Sequence, residues 1–168
     1  MSKVNFLKLE YRKESPSRII SCGIVDSENN TPAYTTDSKS LKWIATINNP
    51  NCREFQFVPI DHNIIVFKPD GVNIDSTCDG MILVSEKSMI AFVELKDVRT
   101  GGFSDAIGQL KHTVELFTEN HQYDIFKCRR AYAANIAHPH FHYNLKDEIE
   151  KFRVTHFVLF PQAVINIG

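Results

Sequence analysis

The sequence predicts an α/β fold: a single domain with a central mixed β-sheet flanked by helices. Three observations carry this. Two short apolar runs, 80–84 and 89–95, are joined by the polar turn 85–88, the pattern of a β-hairpin. The second run, Met-Ile-Ala-Phe-Val-Glu-Leu, is apolar on both faces, as expected of a strand covered on both sides. Apolar positions at helical spacing then follow at Phe103, Ile107, Leu110, Val114 and Phe117. Strand runs interleaved with helices indicate layers of helix on sheet.

The elements follow in chain order. Residues 1–35 are polar and turn-rich, with a loop at 25–32. Leu41, Ile44 and Ala45 lie at helical spacing and predict a short helix over 40–48, ended by Asn49-Pro50-Asn51. Residues 53–60 alternate like a strand, 63–67 form another apolar run, and 68–77 form a loop. The helix over 103–119 is preceded by Gly101-Gly102, and Ser104 can cap near its start. A strand at 129–136, a short amphipathic helix at 144–152 carrying Leu145, Ile149 and Phe152 on one face, and one or two strands in 155–167 complete the chain.

At 168 residues the length suits one domain, here residues 1–168, with 1–60 as an N-terminal extension packed on a 61–168 core. A hydrophobic fraction of 43% with twelve phenylalanines is enough for a sizeable core. No apolar run approaches the ~20 residues that span a bilayer, and the start lacks a signal-peptide apolar region, so the expectation is a cytoplasmic protein away from membranes. Cys22, Cys52, Cys78 and Cys128 are far apart without zinc-ribbon spacing, which suggests free thiols. The net charge of −1 leaves nucleic-acid binding to a local basic patch, or to a partner subunit.

The chemistry concentrates at Asp79 and Glu94-Leu95-Lys96. Side chains alternate along a strand, so Glu94 and Lys96 share a face, and a hairpin partner can bring Asp79 beside them. Two carboxylates and an ammonium in one small space suit Mg²⁺ or Mn²⁺, with a lysine to orient a water. An unpaired carboxylate in so apolar a strand would be costly, and a cation with the lysine relieves that cost.

The stretch Cys78-Asp79-Gly80 through Glu94-Leu95-Lys96, with the helix after it, resembles the core of the PD-(D/E)xK nuclease superfamily, the restriction-endonuclease-like fold. The resemblance covers roughly residues 61–160. It implies Asp79, Glu94 and the Leu95 carbonyl as ligands of Mg²⁺ or Mn²⁺, and Lys96 as the residue that orients the attacking hydroxide. Cys78 stands where the family has proline. Relatives of the recombination type carry a glutamine on the following helix, which implies Gln109 as a further site residue. Their tyrosine one turn later is Thr113 here. Many members add an acid from an early helix. The 40–48 segment has none, and Glu54 is the favoured position, with Asp61 and Glu28 as alternatives. The implied activity is metal-dependent hydrolysis of DNA, RNA not excluded, in restriction, repair or phage defence, by a homodimer or with a partner protein. The alternative is an inactive nuclease-fold scaffold that binds nucleic acid or protein.

Arg99, Lys111, Lys127, Arg129 and Arg130 are the candidate phosphate contacts; each taken singly is more often a solvated surface charge. His138, His140 and His142 have period two, but no fourth ligand is adjacent, so a loop or strand-edge run without structural zinc is expected.

Overall fold

The computed structural model describes residues 3–27, 29–99, 102–137 and 145–168. The nine strands among them form two mixed sheets. In chain order they are β1 (Ser21–Val25), β2 (Tyr34–Thr36), β3 (Ala45–Asn48), β4 (Phe55–Pro59), β5 (Gly80–Val84), β6 (Met89–Lys96), β7 (Cys128–Asn135), β8 (Val158–Phe160) and β9 (Val164–Asn166). Helix α1 (Phe103–Asn120) joins β6 to β7, and α2 (Lys146–Phe152) precedes β8. One sheet has the order β4-β5-β6-β7-β8, antiparallel up to β6 and parallel beyond it. The other has the order β2-β1-β3-β9. Among the described residues no helix is long and apolar enough to cross a membrane.

β6 shows why the layers form. Ile90 and Phe92 enter a core with Leu110, Val114 and Phe117 of α1, while Ala91, Val93 and Leu95 enter a second core with Ile24, Ile47 and Ile165 of the four-stranded sheet. Period-two alternation therefore feeds two cores from one strand, and the run that is apolar on both faces is the middle of three layers. The expected stripe on α1 is buried at Phe103, Leu110, Val114 and Phe117, with Ala106 and Thr113 beside it and Ile107 half-buried.

Several expectations require correction. The segment 40–48 is not a helix: its second half is β3, where Ala45 and Ile47 are buried and Thr46 and Asn48 are not. Leu41, counted toward the helical stripe, is 42% exposed. In so short a window the periods 3.6 and 2 both fit, and strand pairing with β1 and β9 decided between them. The polar first 35 residues contain β1, whose alternation Cys22 and Gly23 obscure, and the start of β2; Trp43 fills the space over Gly23, leaving no room for a Cβ. Ser104 lies inside α1. The cap is Gly102 in the left-handed region (φ 82°), with no side-chain cap bond. A cut at residue 60 is also no physical boundary, because β4 joins the five-stranded sheet and β9 returns to the sheet of the first sixty residues.

Gly80 begins β5 where the Phe57 ring closes over it. A Cβ there would lie 2.4 Å from the ring tip and 3.1 Å from the Val58 carbonyl oxygen, and Phe57 is 1% exposed and cannot retreat. Gly80→Ala is expected to lower unfolding free energy by about 1–3 kcal/mol. Urea titration of wild type and variant checks this; equal midpoints would show that the Phe57 ring can move.

Candidate functional site

β5 and β6 end side by side, with Gly80 opposite Val93. Asp79 continues β5 by one residue, on the side of the sheet that Met81 presents to α1; Glu94 and Lys96 share the parity of Ile90 and Phe92 and face the same helix. The three residues thus meet at one sheet end, beneath α1.

Hydrogen bonds fix each of them. Asp79 Oδ2 accepts the Leu95 N–H at 2.6 Å, and the Asp79 carbonyl accepts the Ile60 N–H at 2.8 Å. The Leu95 carbonyl leaves the strand on the edge of its own N–H, toward Asp79. Lys96 Nζ lies 2.8 Å from Glu94 Oε1 and donates to Gln109 Oε1 at 3.1 Å. Gln109 Nε2 in turn donates to Ser76 Oγ at 2.9 Å. Gln109 therefore bridges α1, the lysine and the loop that delivers Asp79.

Three supports of that loop were not foreseen. The Thr113 hydroxyl accepts the Cys78 N–H at 2.8 Å and donates to the Gln109 carbonyl one turn back. His112 Nε2 lies 2.7 Å from Asp75 Oδ2. With Ser76, these tie 75–78 to α1 just before Asp79. Thr113 occupies the place where the resemblance led to a tyrosine, and here it holds the backbone. The signal available in sequence was its position four residues after Gln109, on the same helix row.

Burial dominates the electrostatics of the site. Glu94 is 3% exposed, and its Oε2 is buried without a hydrogen-bond partner. Burial pushes its carboxyl up to about 8 and the Asp79 charge adds to this, while Lys96 and the Asp79 backbone N–H pull less strongly the other way. Burial likewise raises Asp79 to about 6; the Leu95 N–H opposes that rise, and Asp26 and Asp61 add to it. For Lys96, burial works against the ammonium, but the hydrogen bond and charge of Glu94, with Asp79 and Asp105, outweigh it and raise its pKa.

The donor set fits a small hard cation. Glu94 Oε2, the second oxygen of Asp79 and the Leu95 carbonyl are hard oxygen donors, and Mg²⁺ commonly takes few protein oxygens and keeps several waters. Among the described residues no group of three or more His, Cys, Asp and Glu converges as a metal cage. Glu54, the favoured third acid, lies at the other end of β4, where it pairs with Arg18 at 3.4 Å and its carbonyl accepts the Ser85 N–H. That is a correction: the β4–β5 register pairs Phe55 with Val84 and Pro59 with Gly80, so Ile60, not Glu54, lies beside Asp79. Asp61 and Asp26 are the acids whose charges Asp79 senses, and Asp26 shares a small cleft with Leu95, Lys96 and Asp97. Glu28, His138, His140 and His142 lie outside the described residues.

The basic residues separate. Arg99 is exposed, three residues past Lys96. Lys111 lies on α1, 3.8 Å from Glu115. Arg129 and Arg130 stand opposite Ile90 and Ala91, ~10–13 Å along the strands from Glu94, at the other end of the sheet. They cannot line the same end as Lys96.

In comparisons with known proteins, no family model matches the chain, and no curated protein or solved structure is similar to it at a significant level.

Proposed function

We propose that this protein is a metal-dependent nuclease with a restriction-endonuclease-like core, hydrolysing phosphodiester bonds in DNA. The observation that carries the reading is the buried, partnerless Glu94 Oε2 beside Asp79, with Lys96 held over the pair by Gln109. A carboxylate buried at such cost is better explained by a ligand it serves than by packing.

Asp79, Glu94 and the Leu95 carbonyl would hold Mg²⁺ or Mn²⁺, which when bound supplies Lewis-acid polarisation of a phosphoryl oxygen and a more acidic water. The chain's own residues do the rest. Lys96 keeps its proton, because the two carboxylates favour the ammonium, and so offers positive charge to the pentavalent phosphorus and a donor to the attacking oxygen. Gln109 fixes the lysine by accepting one of its hydrogens. Thr113 and Ser76 fix the loop, so Asp79 does not drift as charge develops. The surrounding acids, Asp26, Asp61 and Asp105, repel a phosphodiester, which makes activity dependent on the cation.

The test offers single-stranded, duplex, nicked and branched DNA, and RNA, with Mg²⁺, Mn²⁺, Ca²⁺ or chelator. Cleavage is expected with Mg²⁺ or Mn²⁺ only. Lys96→Ala should lower kcat by about 10²–10³-fold with little change in DNA affinity, since its role belongs to the transition state. Cleavage in chelator, or full activity in the variant, would rule out the mechanism.

A second reading draws on one observation: no third carboxylate joins Asp79 and Glu94 among the described residues. It is a nuclease-fold scaffold that binds nucleic acid or a protein partner without cutting. Inactivity on every substrate, together with tight binding to a partner, would select it.

A further inference from the structure

Arg129 and Arg130, excluded from the Lys96 end, build a cleft of their own. With Lys127 and His156 they line a hollow of about 330 Å³ where β7 and β8 begin; no acidic residue is among those lining it. Neither arginine nor Lys127 has a carboxylate partner among the described residues, although the chain's net charge is −1.

Both guanidinium groups are held in place. Arg129 donates through Nε to the His156 carbonyl at 3.0 Å and through Nη1 to the Phe126 carbonyl at 3.1 Å. Its plane lies 5.8 Å from the Tyr123 ring, which stacks on His156. Arg130 donates through Nη1 to the Asn166 carbonyl at 2.9 Å and the Tyr132 hydroxyl at 3.2 Å, over the Phe160 ring at 5.4 Å. Arg130 Nε donates to Cys128 Sγ at 3.1 Å, so in each arginine Nε and Nη1 are engaged, and Nη2 makes no hydrogen bond among the described residues. A solvated surface arginine swings freely and pairs with whatever acid is near. These two are fixed by neutral carbonyls and aromatic faces that leave their charge uncompensated, so little entropy is lost when an anion arrives. Uncompensated guanidinium donors that line one cleft with a lysine, from either face of the sheet, suit the oxygens of a phosphate group.

We infer that this cleft binds a phosphate group, carried by a nucleic-acid strand or by a free nucleotide, at a site separate from Asp79 and Glu94. The inference stands whether or not the Asp79–Glu94 site cleaves anything.

The test is done in chelator, so that a metal at the other site contributes nothing. Intact protein is titrated with a labelled single-stranded oligonucleotide, with adenosine monophosphate and with inorganic pyrophosphate. The double variant Lys127→Gln/Arg129→Gln is compared with wild type and with Glu94→Gln; Arg130 is left alone because its bond to Asn166 links the two sheets. A thermal melt confirms that the double variant folds. The expected result is binding of at least one probe, weakened at least ~10-fold in the double variant, with a shallower salt dependence, and unchanged in Glu94→Gln. Oligonucleotide binding that pyrophosphate does not displace identifies a strand backbone as the source; binding of the monophosphate or pyrophosphate alone identifies a free phosphate. Failure of all three probes to bind wild type, or equal binding by the double variant, would overturn the inference. Binding of this kind by a protein that cleaves nothing in the separate Mg²⁺ assay would support the inference and count only against the nuclease reading.

Discussion

Glu94→Gln is expected to lower metal-dependent cleavage by at least ~10³-fold while leaving the metal-free protein at least as stable as wild type at pH 8. The two effects share one cause. The Glu94 carboxylate is buried beside Asp79, and its Oε2 has no partner. A neutral amide of the same shape removes a charge that burial and Asp79 both disfavour, and its carbonyl oxygen can still accept from Lys96. What it cannot do is bind a hard divalent cation as a carboxylate does. The measurements are single-turnover cleavage and thermal melts with and without Mg²⁺. Wild type should melt higher with the cation and the variant should not respond. Residual activity within ~10-fold of wild type would remove Glu94 from the chemistry. A large loss of stability in chelator would make it a structural ion pair with Lys96.

Much of this site was legible because strand parity is a strict rule. Once β5 and β6 were recognised as a hairpin, Glu94 and Lys96 had to share a face, and the turn length fixed Asp79 near them. Gln109 was named only through the family resemblance; its hydrogen bond from Lys96 was not legible from periodicity, which places it on a row beside the buried stripe. Glu54 lies away from the site for the converse reason: closeness in sequence to a motif says nothing about which end of a strand a residue occupies. β4 runs antiparallel to β5, which carries Glu54 away from Asp79, and β7 runs parallel to β6, which puts its first residues, Arg129 and Arg130, at the far end. The strand β3 was hidden by a window too short to separate two periods, whereas β9 falls within the stretch expected to hold one or two strands and only its parallel pairing, with a strand more than a hundred residues earlier, was not legible. Local pattern cannot reveal such a partner.

The stability of the metal-free protein is expected to fall as pH rises from about 4 to about 8, and Mg²⁺ is expected to restore it most at the alkaline end. The folded state raises Asp79 from 3.8 to about 6 and Glu94 from 4.5 to about 8. Between the unfolded and folded values the native state holds more protons than the unfolded chain, so unfolding free energy declines with pH. The decline begins near pH 4, where the unfolded carboxyls ionise, and levels off above about 8, where the folded ones are ionised too. One pKa unit corresponds to 1.36 kcal/mol, so the two rises together make the loss on the order of 5–10 kcal/mol. Lys96 does not reverse the sign, because its own raised pKa carries stability that is lost only above its unfolded value of 10.5. His121, held below 6.5 by burial, works in the opposite direction around neutrality. Subtracting the curve of an Asp79→Asn/Glu94→Gln variant removes that background. A bound cation favours the ionised carboxylates, so its stabilisation should grow from pH 6 to 8, approaching ~2.7 kcal/mol when the free cation is a hundredfold above its Kd. Urea titrations at several pH values, in chelator and in Mg²⁺, measure both terms. A difference curve that is flat or rises with pH in chelator would mean that the two carboxyls ionise as easily in the folded protein as in water. The cation would then have no buried charge to relieve.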